Sequence, residues 1–187
     1  MNDVTVVIPT IPPRRFDLLP QAIASVWAQE YPISALSVAV DVHRDGAWRT
    51  RQRALDAART TWVAFLDDDD EFYPPHVAHL MACALEHDAA YAFSYWDLTK
   101  TPDILGHFGK VYDHANPHHT TMTVLVKTEL AQAVGFTPRL PEHEAGGEDW
   151  RFTLGCVELG AKIVHLPEQT WHWRWHGKNT SGREDRW

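Results

Sequence analysis

Residues 62–73 read WVAFLDDDDEFY, an apolar run that stops on four consecutive aspartates, Asp67 to Asp70. Two unit charges about 4 Å apart repel by roughly 4 kcal/mol near a protein surface, so a fold that gathers these acids must offset the cost. One carboxylate could cap the helix predicted to start near Pro75, but a cap uses one acid, not four. An EF-hand loop fails on spacing, because counting from Asp67 the required glycine is Phe72 and the closing glutamate is Ala78. A hard divalent cation, Mg2+ or Mn2+, shared with the oxygens of a bound phosphate suits the cluster better. Such ions take one or two protein carboxylates and fill their shell from phosphate and water.

Three other stretches carry chemistry. The sequence GGED at 146–149 opens a predicted helix, where two glycines permit close backbone approach and the N-terminal amides favour an anion. Its acids, Glu148 and Asp149, are candidates for proton transfer; the competing reading is an ordinary acidic first turn. Arg44, Arg49, Arg51, Arg53 and Arg59 crowd one region of an otherwise acidic chain, and a guanidinium fork suits a phosphate group. On a helix Arg49 and Arg53 share a face that excludes Arg51. The segment WHWRWH, 171–176, alternates as a half-buried strand does, with His172, Arg174 and His176 on one side and three tryptophans on the other. At about 3.3 Å per residue His172 and His176 stand about 13 Å apart, so an unbroken strand cannot bring both to one metal.

These groups need a scaffold. Val4 to Ile8, Leu36 to Val40 and Trp62 to Leu66 are short apolar runs rich in β-branched residues, each followed by a polar loop and a helical pattern. The helices fall at 19–29 and 47–59, and a third begins near Pro75, whose fixed φ suits a first turn. Strands buried on both faces by crossover helices belong to a parallel sheet. Further strands are expected at 90–96, 121–127 and 162–166, a helix at 148–160, and a loop rich in His, Gly, Asp and Pro at 97–119. The tail from Glu168 is expected to fold back over the sheet. In open α/β sheets the ligand crevice lies beyond the carboxyl ends of the strands, and three such ends are Pro9-Thr10, Asp41 and Asp67 to Asp70.

The 187 residues with 44% hydrophobic content suit one domain with a real core. A formal charge of −8, with the 17 Lys and Arg not drawn into a long basic tract, argues against nonspecific binding to nucleic acid or acidic membranes. Cys83 and Cys156 stand alone without CxxC spacing, which excludes a disulfide framework and a thiolate zinc site. With no signal-like N-terminus and no long apolar run, the expectation is a cytoplasmic protein without membrane insertion.

In their order along the chain, VTVVIPT, the strand ending at Asp41, RQRALDAARTTWVAFLDDDDEFYPPHV and GGEDWRFTLGCVELGAKIVHLPE resemble the successive blocks of the family 2 inverting glycosyltransferases with the GT-A fold, over roughly residues 3–181. The resemblance implies a single GT-A (Rossmann-like) domain over 1–187, with a mostly parallel central sheet flanked by helices and a short irregular C-terminal segment on the acceptor side. It divides the chain into a nucleotide-sugar-binding half, 1–97, and a half carrying acceptor and base, 98–187. It implies a nucleotide-sugar donor, UDP-linked by family frequency, and a divalent cation; the chain is short for this fold, so a minimal, open acceptor region is expected to admit a large acceptor such as a glycan, a protein or a modified nucleic acid.

Carried over by residue, the resemblance puts Asp69 on the metal and Asp67 or Asp68 near the ribose. It puts Pro9 and Thr10 beside the base, Asp41 on the base edge, Arg14 and Arg51 on the donor side, Asp149 as catalytic base with Glu148 beside it, and His176 closing over the metal or diphosphate. The chain departs from the pattern in places. DVHRDG replaces the frequent DDGS, leaving Asp41 and Asp45 as rivals for the base; PTIPPR replaces PTYNR; and RQRA keeps Arg51 but loses the usual Asn and Gly. His118 and His119 are candidates for the acceptor side. Rival classes are a nucleotidyltransferase, which would be expected to carry a Gly-rich loop where TIPPRR stands; a nuclease, for which the charge is unsuited; and a non-catalytic sugar-binding protein, for which the nine Trp would supply stacking surfaces.

Overall fold

The computed structural model describes residues 3–138 and 147–174. The fully buried apolar stretch Val4–Thr10 forms β1; it is followed by a 3-10 turn over Pro12–Phe16 and by α1 (Leu19–Trp27). Then come β2 (Ala35–Val40), α2 (Ala47–Asp56), β3 (Trp62–Phe65), β4 (Glu71–Phe72), α3 (His76–Glu86) and β5 (Tyr91–Trp96). The chain continues through β6 (Val124–Lys127), α4 (Thr128–Val134), α5 (Glu148–Glu158) and β7 (Ile163–His172). All seven strands make one sheet in the order β2-β1-β3-β6-β5-β7-β4.

The βαβαβα series read from the sequence is present: β1 pairs in parallel with β2 and with β3. The sheet is mostly parallel in strand direction, since β1, β2, β3, β5 and β7 run one way while β6 and β4 oppose their neighbours. The apolar runs of β1, β3 and β5 are buried along their whole length, as strands covered on both faces must be. Phe152 of α5 packs between Phe65 of β3 and Phe136, with ring centroids 5.7 and 4.5 Å away. That contact fixes α5 beside the end of β3.

Four expectations change. The strand expected from 121 begins only at Val124, because the Thr121 hydroxyl lies 3.2 Å from the carbonyls of Ser94 and Thr123 and competes with ladder pairing. The helix expected at Pro75 starts at His76, with Pro75 as its cap. Residues 168–172 do not fold over the sheet. They continue β7 within it, after a register shift in which Phe93 pairs with His165 and Tyr95 with Gln169. The shift brackets Pro167, which cannot donate to a ladder. Finally, Glu71 and Phe72, read as part of a loop, form β4 by pairing with His172 and Trp171, which fastens the aspartate run to the end of β7.

Candidate active site at the carboxyl edge of the sheet

The aspartate run leaves β3 into a turn closed by the Asp70 amide donating to the Asp67 carbonyl at 3.1 Å. Among the described residues, Asp67, Asp69 and Asp70 bring carboxylate oxygens within 4.8 Å of one another. Two arginines and a hydroxyl offset the crowding. The proline-stiffened 3-10 turn after β1 presents Arg14, whose Nη1 lies 2.8 Å from both Asp68 Oδ1 and Asp69 Oδ2. Thr10 donates to Asp68 Oδ2 at 2.5 Å. Burial raises the Asp68 carboxyl above the ordinary range, while the bonds from Thr10 and Arg14 draw it back. Asp70 is more deeply affected: burial first, then the charges of Asp69 and Asp67, push it well above the usual carboxylate range. Its Oδ1 accepts the Arg174 backbone amide at 3.0 Å, so β7 reaches into the knot.

Arg51, inside α2, is buried, and it joins two acids that are 81 positions apart by subtraction of their numbers: Nη2 lies 2.7 Å from Asp67 Oδ1 and Nη1 2.9 Å from Glu148 Oε1. Its guanidinium sits 5.3 Å from the Phe136 ring centroid. Burial disfavours its charge, but the two carboxylates outweigh that and raise its pKa. The knot and the first turn of α5 are therefore joined through one guanidinium at the carboxyl edge of the sheet. The family resemblance puts Arg51 on the donor diphosphate; in the structure both its terminal nitrogens engage carboxylates.

Gly147 precedes α5, and a Cβ placed there would lie 2.9 Å from Asp149 Oδ1, which is the close approach that the glycine permits. Asp149 Oδ1 accepts the Trp150 amide at 2.8 Å. Burial and then the charge of Glu148 raise the Asp149 carboxyl, against pulls from the Trp150 amide, Arg51 and His119. A raised carboxyl moves toward the range in which proton abstraction near neutrality is efficient. His119 stacks on Trp150 with centroids 4.4 Å apart, whereas His118 turns away to pack on His107 and Tyr112 at 4.0 and 4.6 Å.

At the end of β2 the buried Asp41 carboxylate accepts the amides of Asp45 and Gly46 at 2.8 and 3.0 Å, ordering the turn into α2. Asp45 binds Arg53 at 2.7 Å and Arg49 at 4.0 Å, so those two arginines share a face as the helical spacing required. Pro9 and Thr10 end β1 beside Ala39 and Val40. His172 lies 3.8 Å from Glu71 and is not among the converging carboxylates; Arg174 also pairs with Glu71. His176 lies outside the described residues. The sequence reading assigned no role to Asp70, Arg174 or Trp150. Membership of the aspartate run was the available signal for Asp70, and position after the ED pair for Trp150; nothing in sequence links Arg174 to Asp70.

The carboxyl-edge cleft, with clustered acids opposite an acid-led helix, defines a GT-A-type architecture. The model of "Glycosyl transferase family 2" matches residues 37–123. TarS 1-349 of S. aureus in complex with UDP-GlcNAc is similar in fold at TM-score 0.75 and 17% identity, covering 95% of this chain and 60% of that one. A mannosyltransferase from Pyrobaculum calidifontis in complex with GDP-Man and Mn2+ gives TM-score 0.69 and 14% identity, with 96% of this chain and 58% of that one covered. Glucosyl-3-phosphoglycerate synthase from Mycobacterium tuberculosis, in complex with Mn2+, UDP and glucosyl-3-phosphoglycerate, gives TM-score 0.62 and 15% identity, with 94% and 73% covered. The chain spans about three-fifths of the first two proteins. A comparison with curated proteins finds no match. The resemblance read from the sequence agrees with both comparisons: the family 2 model matches residues 37–123, and the fold is that of the GT-A glycosyltransferases named above. No helix among the described residues is long and apolar enough to cross a membrane.

Proposed function

We propose that the protein is a metal-dependent inverting glycosyltransferase, moving a sugar from a nucleoside-diphosphate sugar to an acceptor hydroxyl. The observation that supports this reading is Arg51, which ties Asp67 of the knot to Glu148 beside Asp149, so that the groups proposed to hold the donor and to take the proton lie within one guanidinium of each other.

The all-oxygen set of Asp67, Asp69 and Asp70 fits a hard cation, Mn2+ or Mg2+. Asp69 would hold it with Asp67 and Asp70 beside it; when bound, the ion supplies charge stabilisation to the departing diphosphate. Thr10 and Arg14 hold Asp68 in place. Pro9, Thr10 and Asp41 flank the nucleotide base. UDP is favoured by the UDP-bound relatives named above, against one bound to GDP-Man. Asp149 Oδ1 is engaged by the Trp150 amide, so Oδ2 takes the proton as the acceptor oxygen bonds to the anomeric carbon. The bond from that carbon to the diphosphate breaks on the opposite face, which inverts the centre. Such proton transfer contributes about 10²–10⁴-fold.

The test has two parts. Thermal shift with nucleoside diphosphates and their sugars, with and without Mn2+, should show stabilisation of about 2.7 kcal/mol at 100 times the dissociation constant, lost in Asp69→Asn. Asp149→Asn should then lose turnover by about 10²-fold or more while keeping donor stabilisation. No metal-dependent response to any diphosphate would remove the donor assignment. Full turnover in Asp149→Asn would remove the base, and donor binding with no turnover in the parent protein would favour the non-catalytic sugar-nucleotide binder. The placement in the cytoplasm rests on the sequence reading alone.

A further inference from the structure

Three buried hydroxyls, each from a different element, meet behind the first turn of α5. Tyr91 opens β5, Thr120 ends the long loop before β6, and Thr153 lies one turn after Asp149; their exposures are 0%, 7% and 2%. Tyr91 Oη is 2.6 Å from Thr120 Oγ1 and 3.3 Å from Thr153 Oγ1; the two threonine oxygens are 3.1 Å apart. Two carbonyls complete the set, Thr121 O at 3.1 Å from Thr120 Oγ1 and Asp149 O at 3.1 Å from Thr153 Oγ1.

Three hydroxyls carry three protons, fewer than the contacts they face. Thr153 donates to the Asp149 carbonyl, and the ordering that makes the set continuous has Tyr91 donate to Thr120 and Thr120 to Thr153 in place of the equidistant Thr121 carbonyl. The shortest link is the one Tyr91 donates, and burial raises the phenol so that it stays protonated. We propose that this chain, Tyr91 to Thr120 to Thr153, positions Asp149, and that the adjoining stack of His119 on Trp150 completes a clamp between the β5–β6 loop and the base-bearing turn. His119 is the neighbour of Thr120, and Trp150 the neighbour of Asp149, so the two contacts grip the same pair of segments.

The chemistry favours positioning over stabilisation. Replacing mutually bonded buried hydroxyls by apolar groups of the same shape is nearly neutral for stability, so a Phe and two valines would fill this space without loss of fold. What they would lose is direction, because dispersion contacts do not fix an angle and hydrogen bonds do.

This inference rests on Asp149 being the base, and its test separates the two claims. Thr153→Val should cut kcat by about 10- to 100-fold with the donor KM unchanged, and Thr153→Ser should restore it. The triple variant Tyr91→Phe/Thr120→Val/Thr153→Val should show the same kcat loss with an unfolding midpoint close to that of the parent. Hydrogen exchange read on the peptide spanning residues 147–154 should speed up in Thr153→Val but not in Thr153→Ser. Unchanged exchange in Thr153→Val overturns the clamp whether or not the protein transfers sugar. Faster exchange with kcat intact overturns the positioning of Asp149. If the parent protein transfers nothing, the functional reading falls while exchange still decides the clamp.

Discussion

Arg51→Met tests the joint between the two halves of the cleft. Methionine keeps much of the stem volume and removes the charge, leaving two carboxylates without their partner. The two losses are unequal. The Asp67 side chain is 40% exposed against 12% for Glu148, so water takes over much of the first pair, worth about 0–1 kcal/mol. Stranding one member of a buried pair costs about 3–5 kcal/mol. Against this, Arg51 Nε is buried without a hydrogen-bond partner, and its removal returns about 1 kcal/mol. The net expectation is a loss of about 2–5 kcal/mol. For a domain of this size that lowers Tm by roughly 4–20 °C. Melting followed by circular dichroism at pH 7.5 with EDTA reads it directly. Adding Glu148→Gln to Arg51→Met removes the stranded charge and should recover more than half the loss. Because Arg51 also draws the Asp149 carboxyl down, the proposal of Asp149 as base adds that the acid limb of the rate profile should move to higher pH. A Tm drop under about 2 °C, or a double variant less stable than Arg51→Met, would refute the reasoning.

Two further outcomes follow from packing and burial. A Cβ on Gly155 of α5 would meet Val134 Cγ1 of α4 at 2.5 Å, so Gly155→Ala should lose about 1–3 kcal/mol to overpacking against a helix-propensity gain of about 1 kcal/mol; urea unfolding should show net destabilisation, relieved by Val134→Ala, and a stabilised Gly155→Ala would contradict the contact. His76 is fully buried against Thr170, and burial holds its pKa at about 3. The unfolded chain, with an ordinary value of about 6.5, takes up that proton first as pH falls. This stability is therefore whole above about pH 6.5 and is lost toward pH 3, about 2 kcal/mol of it by pH 5. Comparing the pH dependence of urea midpoints for the parent and His76→Gln isolates that share, and equal slopes between pH 7 and 5 would remove it.

How far the site could be read in advance depended on range. The strand ends at Thr10, Asp41 and Asp67 were legible because each closes a local apolar run, and the sheet edge they share follows from parallel topology. Arg49 and Arg53 on one face needed only the helical period, and both reach Asp45. The segment from Glu168 was misread because Pro167 interrupts the strand pattern, whereas the sheet absorbs it in a register shift. Once that strand continues, Trp171 pairs with Phe72 and His172 with Glu71, and the end of β7 arrives at Asp70. Long-range charge pairing was equally beyond a reading of neighbours. Arg51 has acids within reach on either side along the chain, yet it bonds Asp67 and Glu148 because its place on α2 turns it inward, where a lone guanidinium is intolerable.

That burial also explains why the aspartate run is tolerable before any cation arrives. Asp68 and Asp69 share Arg14, Asp67 takes Arg51, and Asp70 is pushed toward its neutral form. Each acid thus has its own relief, Asp70 through the Arg174 amide and a shift toward its neutral form. A cation that enters among Asp67, Asp69 and Asp70 competes with guanidinium at the first two and must favour the charged form of the third. The knot is therefore poised rather than satisfied: stable enough to fold, and improved by a ligand that brings positive charge without displacing Arg51 from Glu148. Since Arg51 also touches the turn that carries Asp149, charge arriving at the knot is felt at Asp149 through one side chain.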